Sequence, residues 1–295
     1  METTQARISV VTNACALDAD RLRMTLPHWL RVFGDRAAEL VVVIDPAPPS
    51  GRIASLHAAT AGEDVASMLA EVQAVLDELT EADSRVRSTM LPSGATLDAI
   101  LQRWFRNGRP LRCQAGTPIA AFIAAFESAT EPLVARLDCD MLLHDAGWID
   151  AAITSLCSGG AEWVEPPRCG LRPERTIEVS TRVSMLHYPR FSHRLLPMRP
   201  WPLDRLRRFH RWWHGRPPWL ALEQMLEKER RAGRLRFHYL GDEPNAASLG
   251  MSLHVPTRDH ARLPIIESVV AAVEAGEVPA AQWAAGPNFR VEAWA

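Results

Sequence analysis

Apolar and polar positions alternate between two periods along the first half of the chain. Ile8-Ser9-Val10-Val11-Thr12-Asn13 is β-rich and ends in turn residues, a first strand. Residues 19–33 carry a helical pattern. Glu39-Leu40-Val41-Val42-Val43-Ile44 is apolar on successive positions, as expected of a strand covered on both faces. It ends at Asp45-Pro46 and a loop rich in proline and alanine. Val65, Met68, Leu69, Val72, Val75, Leu76 and Leu79 mark a helix over 62–81, and Val86 to Leu91 reads as a third strand. A helix from Ile119 to Ser128 feeds the apolar run Pro132 to Leu137, which ends at Asp138-Cys139-Asp140, and Ala146 to Leu156 is a further helix. This alternation predicts an α/β domain with a mainly parallel sheet flanked by helices. Ligands of such sheets bind at the carboxyl ends of the strands. Asn13, Asp45, Asp138 and Asp140 all fall at such ends.

The second half is less regular. Trp163-Val164 and Thr176 to Leu186 read as strands. Residues 189–219 form a stretch rich in proline, arginine and tryptophan. Leu222 to Ala232 reads as a helix closed by Gly233. Leu235 to Leu240 reads as a strand, Ser252 to Pro256 as a short segment, and 263–275 as a helix before a tail.

Composition narrows the function classes. With 47% hydrophobic and 23% charged residues the chain is an ordinary globular protein, and a net charge of −2 gives no case for nucleic acid as a partner. Five cysteines without C-x-x-C spacing argue against a zinc site or a disulfide framework and fit a reducing compartment. The first residues lack the apolar core of a signal peptide, and the longest apolar run, Pro118 to Phe126, is too short to span a bilayer. A cytoplasmic location is expected, with peripheral membrane contact left open.

The densest chemistry is Asp138-Cys139-Asp140. Residues i and i+2 of an extended chain point the same way, so the two carboxylates face one side and Cys139 the other. Side by side they repel unless a cation lies near. A divalent metal carrying a phosphate-bearing ligand would supply it. Asp18-Ala19-Asp20 has the same spacing but precedes an amphipathic stretch, and reads as a helix start. Asp45 is placed to accept hydrogen bonds from a base or ribose, or is simply a turn residue before Pro46. Glycine-rich phosphate fingerprints are absent. Glu223 opens a helix beside Trp219. It is either a base for a sugar hydroxyl or an acid that complements the helix dipole. From Arg190 to Arg216 eight arginines and five aromatic residues face a single acid, Asp204. That mixture suits a phosphate-bearing acceptor, a sugar chain or an anionic membrane, or else a solvated edge helix.

With the sheet order and the acid pair in place, the chain resembles the GT-A fold glycosyltransferases, especially the family-2-like group. The likeness rests on Ile8 to Asn13, on Val41-Val42-Val43-Ile44-Asp45, on Gln114-Ala115-Gly116-Thr117 with the following helix, and on Leu133 to Asp140. It implies a Rossmann-like nucleotide-diphospho-sugar transferase domain over 1–260, with a donor half (1–145), an acceptor half (146–260) and a C-terminal helix and tail (261–295). By the resemblance Asp140 holds Mn2+ or Mg2+ on the donor diphosphate. Asp138 approaches the ribose or the metal's waters, and His254 matches a late histidine that many members supply to the metal. Without the resemblance His254 reads equally as a surface or core histidine. Thr12, Asn13, Asp45 and Gln114 join Asp138 and Asp140 as donor contacts, the donor being of UDP or GDP type. Trp219 and Arg182 fall on the side of a saccharide or phosphate-bearing acceptor. The family's acidic Glu-Asp pair before the helix ending in Ala-Gly is absent. That region reads Trp219-Leu220-Ala221-Leu222-Glu223-Gln224, with Glu223 out of register, so the base and the stereochemical course stay open. The alternatives are a non-catalytic nucleotide-sugar-binding protein on the same fold and a sugar-phosphate nucleotidyltransferase. The sequence Thr12-Asn13-Ala14-Cys15-Ala16 speaks against the latter, which needs a glycine-rich basic loop there.

Overall fold

The computed structural model describes residues 6–48, 64–143, 146–167, 179–203, 208–210, 213, 217–244, 246, 252–254, 271 and 275. Strand β1 (Ile8–Ala14) is followed by α1 (Ala19–Phe33), β2 (Ala37–Ile44), α2 (Val65–Ala82), β3 (Val86–Met90), α3 (Gly94–Trp104), α4 (Ile119–Glu127) and β4 (Leu133–Leu137). Then come β5 (Met141–Leu143), α5 (Gly147–Cys157), β6 (Trp163–Glu165), β7 (Val183–His187), α6 (Tyr188–Leu195), α7 (Leu222–Arg231), β8 (Phe237–Tyr239) and β9 (Ser252–His254). Seven strands form one sheet in the order β3-β2-β1-β4-β7-β6-β8. Strand β7 is antiparallel to both β4 and β6, and every other pairing in this sheet is parallel. A separate antiparallel ribbon joins β5 to β9, with Met141 opposite His254. The expected α/β architecture with a mainly parallel sheet is the one observed.

The continuous apolar strands are explained by what covers them. In β2, Leu40, Val42 and Ile44 enter one core with α1, α2 and α5, whereas Val41 and Val43 enter a second core with α3, α4, α6 and α7. In β4, Leu133, Ala135 and Leu137 take the first side and Val134 the second. Helices therefore cover both faces, and the apolar side chains of residues 40–44 and of β4 are buried whichever way they point.

Several elements differ from the sequence expectation. Helix α3 was not expected, because its apolar residues sit among glycine, threonine and aspartate. It buries Ile100, Leu101 and Trp104 on one side. The strand expected from Thr176 begins only at Val183. Residues 179–182 are irregular, because Val179 and Ser180 give their N–H groups to the carboxylates of Glu227 and Glu165 rather than to a neighbouring strand. The strand expected over 235–240 shortens to β8 and passes into a 3-10 turn at Leu240–Asp242. Helix α6 occupies the start of the arginine-rich stretch, with Pro189 in its first turn, where proline is tolerated. The helix expected over 263–275 lies almost wholly outside the described residues.

Candidate active site at the carboxyl edge of the sheet

Strands β1, β2 and β4 run parallel, so their carboxyl ends meet on one edge. Asn13 is in the last turn-ward positions of β1. Asp45 follows β2 directly, its N–H donating to the carbonyl of Ala14 at 2.8 Å. Asp138 leaves β4, and its N–H donates to the carbonyl of Arg182 at 2.7 Å.

Arg136 links two of these positions. It lies two residues before Asp138 and so on the same face of the strand. Its Nη2 donates to Asp138 Oδ1 at 2.6 Å and to Asn13 Oδ1 at 2.6 Å. The guanidinium lies 4.3 Å from the centre of the Phe122 ring, and its side chain is only 1% exposed. The sequence expectation gives this arginine no role. The signal was present: a lone charge inside a fully buried strand, in phase with the acid that ends it.

Asp138 keeps 34% of its side-chain surface open to solvent, yet its surroundings hold its carboxyl up at about 6. Burial is the largest cause, and the charges of Asp140 and Glu223 push the same way. Arg136 and Arg182 oppose them. Glu223, at the start of α7, is thus within electrostatic reach of Asp138, as is the exposed Arg182. The structure brings these expected residues to one place.

Asp45 is buried, and both its oxygens are engaged: Oδ2 accepts from Arg112 Nη2 at 2.7 Å and Oδ1 from the N–H of Ala47 at 3.0 Å. Arg112 also donates to the carbonyl of Gly116 at 2.9 Å and ties this corner to the loop before α4. That arginine was likewise not anticipated. Thr12 is fully buried in β1, its hydroxyl 3.5 Å from the carbonyl of Asn13. The N–H of Gln114 donates to the carbonyl of Trp219 at 2.8 Å, and its side-chain amide meets Gln224 at 3.4 Å. Gln114 therefore bridges the loop before α4 to the N-terminal end of α7. The Trp219 ring packs over Gly108, where a φ of +99° would strain any side chain and a Cβ would lie 3.0 Å from the ring, a tight contact.

The segment after the acid pair is braced by α1. Asp18 starts that helix, as expected, and pairs with Arg21. Thr25 Oγ1 donates to the carbonyl of Cys139 at 3.2 Å, Trp29 Nε1 donates to the carbonyl of Met141 at 2.8 Å, and His28 Nε2 accepts the N–H of Leu143 at 3.1 Å. Cys139 packs in the α1-side core, but β4 ends at Leu137 and residues 139 and 140 form a turn closed by the N–H of Met141 on the carbonyl of Asp138 at 3.0 Å, so the extended alternation expected for the acid pair does not continue through it. Arg21 lies in the field of both Asp18 and Asp140, which holds its guanidinium firmly protonated although burial works against it.

His254 is placed by β9 directly opposite Met141, one residue beyond Asp140. The donor chemistry fits a hard divalent cation, since two carboxylates leave the same strand end. Among the described residues no group of three His, Cys, Asp or Glu side chains forms a ready metal cage.

Two arginines at the start of the arginine-rich stretch are held by the fold. Arg190 hydrogen-bonds the carbonyl of Leu156, and Arg194 donates to the carbonyls of Arg234 and Gly233 and lies 3.4 Å from Glu162. Phe191 is buried in the core. These three side chains are held within the fold. No described helix is long and apolar enough to cross a membrane.

No family model and no curated protein matches this chain. Solved structures of similar shape include a mannosyltransferase from Pyrobaculum calidifontis in complex with GDP-Man and Mn2+. It has 14% identity and a TM-score of 0.46, over 98% of this chain and 70% of that one. Another is glucosyl-3-phosphoglycerate synthase from Mycobacterium tuberculosis in complex with Mn2+, UDP and phosphoglyceric acid. It has 13% identity and a TM-score of 0.45, over 92% and 78%. The galactosyltransferase LgtC in complex with donor and acceptor sugar analogues has 12% identity and a TM-score of 0.40, over 78% and 72%. Likenesses this distant define neither a family nor a substrate for this chain.

Proposed function

We propose that the protein is a glycosyltransferase that moves a sugar from a UDP- or GDP-type diphospho-sugar to a saccharide or phosphate-bearing acceptor. The observation that carries this reading is the acid pair Asp138/Asp140 at the carboxyl edge of the sheet, where Asn13, Asp45 and Glu223 also gather. Asp140 and Asp138 would hold Mn2+ or Mg2+, with His254 as a further ligand. When bound, the ion would neutralise the diphosphate leaving group. Asn13 and Arg136 fix the angle of Asp138. Thr12, Asp45 and Gln114 belong to the donor side, with Asp45 held in place by Arg112. Glu223 would accept the acceptor's hydroxyl proton on its carboxylate, beside Trp219 and Arg182.

The absence of the Glu-Asp pair favours a second reading, a nucleotide-sugar-binding protein without transfer activity. Both are tested by thermal unfolding with UDP- and GDP-sugars, with and without Mn2+, followed by donor hydrolysis. A ligand at 100 times its dissociation constant adds about 2.7 kcal/mol of stability, a shift of several degrees. Transfer requires metal-dependent turnover that Asp140→Ala abolishes. Stabilisation without turnover selects the binding protein, and no shift with any nucleotide ends both readings.

A further inference from the structure

One face of α7 lines a cleft of about 610 Å³, room enough for a sugar with a charged substituent. Gln224, Lys228 and Arg231 stand at i, i+4 and i+7 of the helix, so they form a single stripe, and all three are exposed. Trp201, Leu220 and Arg234 contribute to the rest of the lining. The N–H of Leu220 donates to the carbonyl of Trp201 at 3.0 Å, which holds these two together. Gln224 ties the cleft to the candidate site. Its Oε1 accepts from the side-chain amide of Gln114 at 3.4 Å, and Glu223 precedes it directly.

The carboxylates beside the cleft are engaged inside the fold. Glu227 accepts from Arg230, Arg231 and the N–H of Val179, and Glu229 accepts from Arg234 and the indole of Trp201. Both are buried. Lys228 and Arg199, in contrast, meet no carboxylate among the described residues. Both lie over the ring of Trp201, the ammonium 4.7 Å and the guanidinium carbon 5.1 Å from its centre. An aromatic face attracts a cation, but one ring shared by two cations keeps like charges close. They repel unless an anion joins them. Around the cleft five cations, Arg199, Lys228, Arg230, Arg231 and Arg234, face two carboxylates. Around the acid pair carboxylates outnumber guanidiniums instead.

We propose that this cleft is the acceptor subsite and that the acceptor is an anionic sugar, whose phosphate or carboxylate binds Lys228, Arg199 and Arg231. The inference rests on the glycosyltransferase reading and makes its acceptor specific. Arg231 bonds Glu227 through Nε and is 59% exposed, so it still has donors for a ligand. Glu223 and Lys228 are five residues apart, about 7.5 Å along the helix axis. A sugar anchored by its anion at Lys228 therefore presents a hydroxyl at its other end towards Glu223. The two fields orient it, because the acid pair repels the anion and the cleft attracts it.

Lys228 is the only lysine among the chain's 33 lysine and arginine residues. Acylation of the full chain by a succinimidyl ester therefore reports on this cleft, with the amino terminus as internal reference. Mass spectrometry follows labelling in the presence of neutral hexoses, hexose phosphates and hexuronates. Hexose phosphates or hexuronates should slow labelling of Lys228 relative to the amino terminus, and neutral hexoses should not. Which anion protects tells phosphate from carboxylate. The dissociation constant of the protecting sugar should rise about tenfold in Lys228→Gln and recover in Lys228→Arg. With donor and Mn2+ that sugar should be glycosylated, and Lys228→Gln should raise its KM with kcat little changed. Both variants should keep the parent's melting temperature and its donor-induced shift.

A donor-induced shift without protection by any anionic sugar overturns the cleft assignment and leaves the transfer reading standing. Equal protection by neutral hexoses overturns it too, as does a Lys228→Gln variant that binds like the parent. Protection without glycosylation overturns the acceptor role. No donor-induced shift removes the transfer reading, and the acceptor assignment with it.

Discussion

Replacing Arg136 by methionine tests the interior of the site most directly, because the change keeps the length and apolar stem while removing the charge. The guanidinium bonds Asp138 and Asn13, each at 2.6 Å, and is almost fully buried. Removing one member of a buried ion pair costs roughly 3–5 kcal/mol. Here Asp138 is 34% exposed, so water replaces part of the lost bond, and about 2–3 kcal/mol is the better figure. Against a total of about 5–15 kcal/mol this is a large fraction. Urea unfolding should report it as a lower midpoint with unchanged slope. Asn13→Ala should cost about 1 kcal/mol, and the double variant should show a coupling above about 0.5 kcal/mol, since both residues share one guanidinium. The carboxyl of Asp138 should also titrate above its present value near 6, because the strongest opposing charge is gone. If Arg136→Met lies within about 0.5 kcal/mol of the parent, or the two changes simply add, then Arg136 does not join β1 to the acid pair.

Trp29→Phe removes the indole donor to the carbonyl of Met141 and leaves a small cavity, for a loss of about 2–3 kcal/mol by denaturant unfolding. Nucleotide-sugar affinity should fall as well, because the residues after Asp140 lose a tether. A stability loss with affinity intact would make α1 a packing element alone. Glu227 gives a pH test away from the site. Burial would raise its carboxyl, but hydrogen bonds from Arg230, Arg231 and the N–H of Val179 bring it down to about 2. Its stabilisation is therefore complete above the unfolded value of about 4.5 and is lost as pH falls from there toward 2. Arg231 is 59% exposed, so the full shift is discounted to about 1–2 kcal/mol. Glu227→Gln should be less stable at neutral pH and flatter between about pH 5 and 3. Parallel pH profiles for variant and parent would contradict the assignment.

The parallel half of the fold was legible because its strands are unbroken apolar runs and its helices carry clear stripes. Val41, Val42 and Val43 leave no reading other than burial on both faces. The acid pair was legible for the same reason, since it ends such a strand. The second half was harder to read. Val179 and Ser180 look like strand residues, but their N–H groups go to the buried Glu227 and Glu165. A long-range carboxylate overrides local β-propensity there, and no local pattern announces it. The arginines mislead in a related way. Those from 190 to 216 look alike in sequence, yet Arg190 and Arg194 are consumed by carbonyls on α5 and beyond α7, while Arg208 is exposed. Only the positions of the acceptors separate them.

The charges gathered around the acid pair constrain how a donor could enter. Asp18, Asp138, Asp140 and Glu223 face Arg21, Arg136 and Arg182, four carboxylates against three guanidiniums. Two of the cations are already committed, Arg21 to Asp18 and Arg136 to Asp138. A nucleotide-diphospho-sugar brings about two further negative charges into this partly buried space, where repulsion is screened less than in water. Arg182 alone cannot offset them. A divalent cation arriving with the diphosphate leaves the local balance where it was, so donor and metal should bind as a unit. On this account nucleotide affinity without metal is weak, and it rises when Glu223 is neutralised to Gln even if transfer is then lost. A donor that binds equally well with and without Mn2+ would mean that the acid pair is not its seat.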